Sequence, residues 1–131
     1  MSSFQREFFD LTRIVEVFNR HGVAYLAVGG ISGMLHGAVH YVTQDVDLMV
    51  RDSNENLERI VGALVELDVD VDGEVGVSDL LVNTQWRTPS GPIDILISAV
   101  GPNETAITFL ELDRYSRVVE VAKGILVSVA R

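Results

Sequence analysis

Thr43-Gln44-Asp45-Val46-Asp47-Leu48 is the stretch on which the reading of this chain turns. In extended backbone, residues two apart point the same way. Asp45 and Asp47 therefore share one face, while Val46 and Leu48 face the other side, into a core. Two ionised carboxylates about 6–7 Å apart repel by roughly 2–3 kcal/mol at an effective dielectric of about 20. A strand built this way calls for a counter-charge, so residues 45–50 read as a β-strand with an acid face.

The flanking segments supply what such a face can use. Upstream, residues 23–28 form a short apolar run bounded by glycines, which reads as a buried strand, and Gly29-Gly30 turns the chain into a short helix over 31–36. Without side chains, the two glycines let a phosphate approach free backbone N–H groups at a helix N-terminus, where the helix dipole assists. Ser32 adds a hydroxyl donor in the first turn. Downstream, Ile93-Asp94-Ile95 repeats the pattern of one acid between apolar neighbours, inside a strand expected over 92–98. A third carboxylate beside the first two makes an oxygen-rich site suited to Mg²⁺ or Mn²⁺. Three aspartates can hold two metals about 3.5–4 Å apart, clamping the attacking and leaving oxygens of a phosphoryl transfer.

The rest of the chain fixes the class. Phe4, Phe8, Leu11, Val15 and Phe18 follow helical spacing and predict a helix over residues 3–20, stopped at His21-Gly22 with glycine in the left-handed cap position. Leu57, Ile60, Val61 and Leu64 predict a second helix over 54–67. Residues 69–77 read as strand, 80–88 as strand or helix, and 104–115 as helix. Strands over 117–122 and 125–129 meet at a hairpin-like Lys123-Gly124 turn. This order implies an α/β or α+β fold: a mixed β-sheet with helices packed against it.

Composition narrows the function classes. The 131 residues, 47% of them hydrophobic, suit one domain with a sizeable core. Nineteen acidic against ten basic residues give a charge of −9, the reverse of what a phosphate-gripping nucleic-acid binder carries. The absence of cysteine excludes a disulfide scaffold, a thiol nucleophile and a cysteine-ligated zinc site. No signal-peptide pattern opens the chain and no apolar run reaches membrane-spanning length, so a cytoplasmic protein without membrane association is expected.

Several features carry a competing structural reading. Asp68, Asp70 and Asp72, with Gly73 and Asp79, imitate the spacing of a calcium loop; Val69 and Val71 suit an edge strand instead. His36 reads as a packed or capping residue rather than a ligand. Trp86 reads as core or interface, with base stacking beside Arg87 as the rival.

The glycine turn, the acid-apolar-acid strand and the later third acid, taken in order, resemble the DNA polymerase beta-like nucleotidyltransferase superfamily. Within it, Val28-Gly29-Gly30-Ile31-Ser32-Gly33-Met34-Leu35-His36-Gly37 followed by Thr-x-Asp-x-Asp is most similar to bacterial nucleotidyltransferases of the abortive-infection and toxin–antitoxin type. The resemblance covers residues 23–98. It implies that Asp45 and Asp47 bind both metals and that Asp94 binds one while activating the acceptor hydroxyl. Gly29, Gly30, Ser32 and Thr43 would meet the nucleotide. The implied activity moves a nucleoside monophosphate from an NTP to a hydroxyl on an RNA end, a protein or a small molecule, with Mg²⁺ or Mn²⁺ as cofactor. The alternative is a non-catalytic antitoxin or regulatory partner on the same fold, paired with a protein partner or forming a homo-oligomer. Two departures stand out. Tyr41 occupies a place where relatives often carry a basic residue, leaving His40 or Arg87 to supply that charge. Residues 1–131 are also expected to form a single nucleotidyltransferase-like domain without the C-terminal helical domain of larger relatives.

Overall fold

The Asp10 carboxylate accepts a hydrogen bond from the Arg13 amide at 3.1 Å and so starts helix α1 (Leu11–Arg20). The computed structural model describes residues 10–28, 46–97, 99–100, 106–107, 113 and 116–129. Asp10 itself has φ −121° and ψ 85°, outside the helical range, so α1 begins at 11 rather than at 3. Phe4 and Phe8 lie outside the described residues. The inward stripe of α1 is Ile14, Val15, Val17 and Phe18, each almost fully buried. His21 caps its end and Gly22 follows at φ +71°, the left-handed conformation expected there.

After α1 come β1 (Tyr25–Val28), β2 (Val46–Val50), α2 (Asn54–Glu66), α3 (Val77–Val82), β3 (Gln85–Thr88), β4 (Gly91–Leu96), β5 (Ala99–Val100), β6 (Ala106–Ile107), β7 (Arg117–Ala122) and β8 (Ile125–Val129). Six strands form one mixed sheet in the order β3-β4-β2-β1-β8-β7. The pairs β1–β2, β3–β4 and β7–β8 are antiparallel, whereas β2–β4 and β1–β8 are parallel. A parallel neighbour needs a crossover, and α2 and α3 fill the one between β2 and β4. β5 and β6 pair separately.

Alternation along the strands sorts the two faces. Tyr25, Ala27, Val46, Leu48, Val50, Ile93, Ile95, Val127 and Val129 join the helices in the main core. Leu26 and Met49, both fully buried, anchor a smaller cluster with Ala24 and Val28 on the opposite face. One buried polar side chain ties α2 to the sheet. Asn56 accepts from the Ala24 amide at 2.7 Å and donates to the Ala24 and Arg51 carbonyls at 3.1 and 2.9 Å.

Two further expectations are corrected. Residues 69–77 are not a strand: Asp68 (φ +59°) and Gly73 (φ +87°) bend the backbone out of extended conformation, and α3 already begins at Val77. The ambiguous stretch 80–88 is both things in turn, the end of α3 and then β3. Within 104–115, Ala106–Ile107 is strand rather than helix, paired with Ala99–Val100. The helix expected over 31–36 lies outside the described residues. Strands 117–122 and 125–129 stand as read, with Gly124 at φ +77° in their turn.

Candidate functional site

Asp47 and Asp94 occupy the same register position on the parallel strands β2 and β4. Their chain neighbours Val46, Leu48, Ile93 and Ile95 are all buried in the helix-side core. Alternation therefore turns both carboxylates to the opposite face, where each residue is half-buried. Paired residues on adjacent strands lie about 4.8 Å apart in the backbone. The two acids thus stand side by side, close enough for one cation to touch both.

The register extends this row in both directions. Val28 pairs with Asp47 on one side, and Gln85 pairs with Asp94 on the other, giving Val28–Asp47–Asp94–Gln85 across β1, β2, β4 and β3. Gly29 follows Val28 directly in the chain, and Val28 is the residue paired with Asp47. Asp45, Gly29, Gly30, Ser32 and Thr43 lie outside the described residues, as do His36, His40 and Tyr41. Next to the acid row, toward the middle of the sheet, lies the row Leu26–Met49–Leu96. The carboxylates border apolar surface on that side, which strengthens any charge interaction they make.

Among the described residues no group of three or more His, Cys, Asp or Glu side chains could hold a metal ion. Asp47 and Asp94 are a pair there. Asp68 to Asp79 are all described, and their carboxylates do not gather into such a group. The physical reason is visible in the hydrogen bonds. The Asp79 carboxylate accepts from the Gly76 amide at 2.8 Å, starting α3, and the Asp70 amide donates to the Arg87 carbonyl at 2.8 Å on the outer edge of β3. These bonds tie the loop to α3 and to the edge of β3.

Trp86 is buried at 4% exposure on the helix face, a core residue rather than a stacking platform, and its indole N–H has no hydrogen-bond partner. Gln85 and Arg87, either side of it, are exposed on the carboxylate face. Sequence reasoning missed Gln85, because nothing in residues 80–88 marks where helix yields to strand or which strand β3 borders.

Two polar clusters stand away from the acid row. At the C-terminal ends of α1 and α2, Glu66 takes Arg20 at 2.6 Å and His21 at 2.8 Å. The Arg20 hydrogen bond, followed by that of His21, holds the Glu66 carboxyl below its ordinary range. Tyr25 donates to Asn19 Oδ1 at 2.9 Å, and burial pushes its phenol well up. A shallow cavity of about 490 Å³ opens between Asn19, Arg51, Leu126 and Ser128, at the opposite end of β1 and β2 from Asp47.

No protein-family model matches the chain, and no curated protein matches it by sequence. Solved structures do match. A Thermotoga maritima protein assigned by inference as a nucleotidyltransferase superposes with TM-score 0.60 at 19% identity, over 92% of this chain and 74% of that one. The antibiotic-resistance factor ANT(2″)-Ia superposes in its solution structure with TM-score 0.54 at 16% identity, over 90% of this chain and 61% of that one. Its crystal structure in complex with adenylyl-2″-tobramycin gives 0.54 and 16%, over 91% and 66%. This chain therefore spans slightly less than two thirds of ANT(2″)-Ia. At these identities the likeness shows the fold: the mixed sheet and its helices are those of nucleotidyltransferase structures.

Proposed function

We propose that this chain is a metal-dependent nucleotidyltransferase domain, transferring a nucleoside monophosphate from an NTP to a hydroxyl. The observation that carries the reading is the Asp47–Asp94 register on a sheet of nucleotidyltransferase architecture, beside the strand end from which Gly29-Gly30 departs. Two carboxylates in register on one half-buried face suit a hard divalent cation, which prefers oxygen ligands. Asp47 and Asp94, with Asp45, would hold Mg²⁺ or Mn²⁺. When bound, the ion neutralises phosphate charge and polarises the phosphoryl group.

The chain's own residues do the rest. The glycine pair offers backbone N–H groups to the phosphates, helped by Ser32 and Thr43. The Asp94 carboxylate takes the proton of the acceptor hydroxyl as its oxygen bonds to the α-phosphorus. The bond from that phosphorus to the β-phosphate oxygen breaks, and pyrophosphate leaves with its electron pair. One of the solved neighbours holds an adenylylated antibiotic, a precedent for AMP as the transferred group and a small molecule as acceptor.

The test is direct. Purified protein with Mg²⁺ and each labelled NTP should bind nucleotide in a metal-dependent way, and Asp47→Asn should weaken that binding by an order of magnitude or more. Metal-independent binding, or binding unchanged in Asp47→Asn, contradicts the reading.

A further inference from the structure

The sheet continues one strand beyond Asp94, and the outward face of that strand is polar. Gln85 pairs with Asp94 and Arg87 with Pro92, so both side chains share the face of Asp47 and Asp94, while Trp86 between them is buried on the helix side. Arg87 is exposed and, among the described residues, its guanidinium makes no ion pair or hydrogen bond. Its backbone is fixed from both sides, by β4 and by the Asp70 amide on its carbonyl at 2.8 Å.

Position on the sheet says what this flank meets. Val28, which Gly29 follows in the chain, is at the β1 end of the row, and β3 is at the other end, with the carboxylates between. In-line displacement puts the entering and leaving oxygens on opposite sides of the reacting phosphorus. With the triphosphate tail at the glycine end, the acceptor comes from the β4–β3 side.

We propose, resting on the nucleotidyltransferase reading, that Gln85 and Arg87 form the acceptor half of the site and that the acceptor is a small hydroxyl compound bearing one anionic group. The Asp94–Gln85 and Pro92–Arg87 rows lie two strand residues apart, so the anionic group sits about 7 Å from the reacting oxygen. Gln85 hydrogen-bonds the acceptor beside its hydroxyl, and the Arg87 guanidinium forks onto a carboxylate or phosphate. Asp68 and Asp70 line a cavity of about 460 Å³ with Arg87.

The experiment saturates the full chain with Mg²⁺ and a non-hydrolysable ATP analogue, then titrates four probes: glycerol, glycerol 3-phosphate, glycerate and tobramycin. A short oligoribonucleotide is a fifth arm, and binding is read by calorimetry. The phosphorylated or carboxylated probe should bind at least about tenfold tighter than glycerol. Arg87→Ala should abolish that preference and Arg87→Lys should keep part of it, each read with the nucleotide site saturated, while the affinity for glycerol itself should be equal in all three proteins. Preference between the phosphate and carboxylate probes then identifies the group. Equal binding of glycerol and the anionic probes, a preference that survives Arg87→Ala, or selective binding of tobramycin or the oligoribonucleotide overturns the proposal while leaving the nucleotide site standing. Failure of the nucleotide itself to bind is seen separately, in the first titration, and removes both readings.

Discussion

Asp47 and Asp94 face the same way from adjacent parallel strands, each held between two buried aliphatic residues. Neither can leave this face without pulling its neighbours out of the core, so the fold keeps two acidic residues side by side on one face. Divalent metal should relieve the repulsion between them. Millimolar Mg²⁺ or Mn²⁺ is expected to raise the thermal midpoint of the wild-type protein, and nucleotide to raise it further by ligand linkage. In Asp94→Asn the metal-free protein should be more stable by about 1 kcal/mol, a value discounted for partial exposure, and the metal response should largely vanish. Differential scanning fluorimetry across a metal titration reads both effects. An equal metal response in wild type and variant would contradict them.

Asn56 is the polar rivet of the scaffold. Its amide satisfies the Ala24 amide and the Ala24 and Arg51 carbonyls from a position only 3% exposed. Asn56→Leu would leave backbone groups at the start of β1 and just after β2 short of partners. The expected loss is about 2–4 kcal/mol, measured by urea denaturation. A loss below about 0.5 kcal/mol would show that water replaces these bonds.

Glu66 makes stability depend on acid pH. Its carboxyl titrates below the ordinary value of 4.5 in the folded state because Arg20, then His21, hydrogen-bond its charged form. A depressed folded value means the contribution is complete above the unfolded value and is lost as pH falls through the folded one. The stability gap between wild type and Glu66→Gln should therefore shrink as pH drops below about 4.5. Parallel denaturation curves down to the acid transition would sink this assignment.

Trp86 buries an unpaired indole N–H, which offsets part of what its bulk contributes. Trp86→Phe trades a small cavity for the loss of that orphan donor, so it should cost about 1 kcal/mol or less, against about 2–5 kcal/mol for Leu80→Ala in the same core. Chemical denaturation followed by circular dichroism compares the two.

What could be read in advance follows the reach of each signal. The alternation in 45–50 and 92–98 pointed to both acid-bearing strands, found at Val46–Val50 and Gly91–Leu96, since a period of two needs only a few residues to show. The hairpin at Lys123-Gly124 was equally plain, because its turn chemistry is local. The order β3-β4-β2-β1-β8-β7 was not legible, nor was the pairing of Asp47 with Asp94, since register across non-consecutive strands is set by tertiary packing. The alternation in 66–74 misled for a related reason. Acids and valines alternate there as in a strand, yet left-handed backbone at Asp68 and Gly73 makes it a loop. The start of α1 went wrong because the phenylalanine spacing ran past Asp10, whose side chain caps the helix.

Asp47 and Asp94 are expected to share one divalent ion beside the end of β1. A crystal of the protein with Mn²⁺ and a non-hydrolysable ATP analogue tests it through anomalous scattering. The expected result is a manganese peak within coordination distance of both carboxylates, with the nucleotide phosphates extending from it past the end of β1. Manganese or nucleotide bound elsewhere, at the Asp68–Asp72 loop or in the cavity beside Arg51, would contradict it.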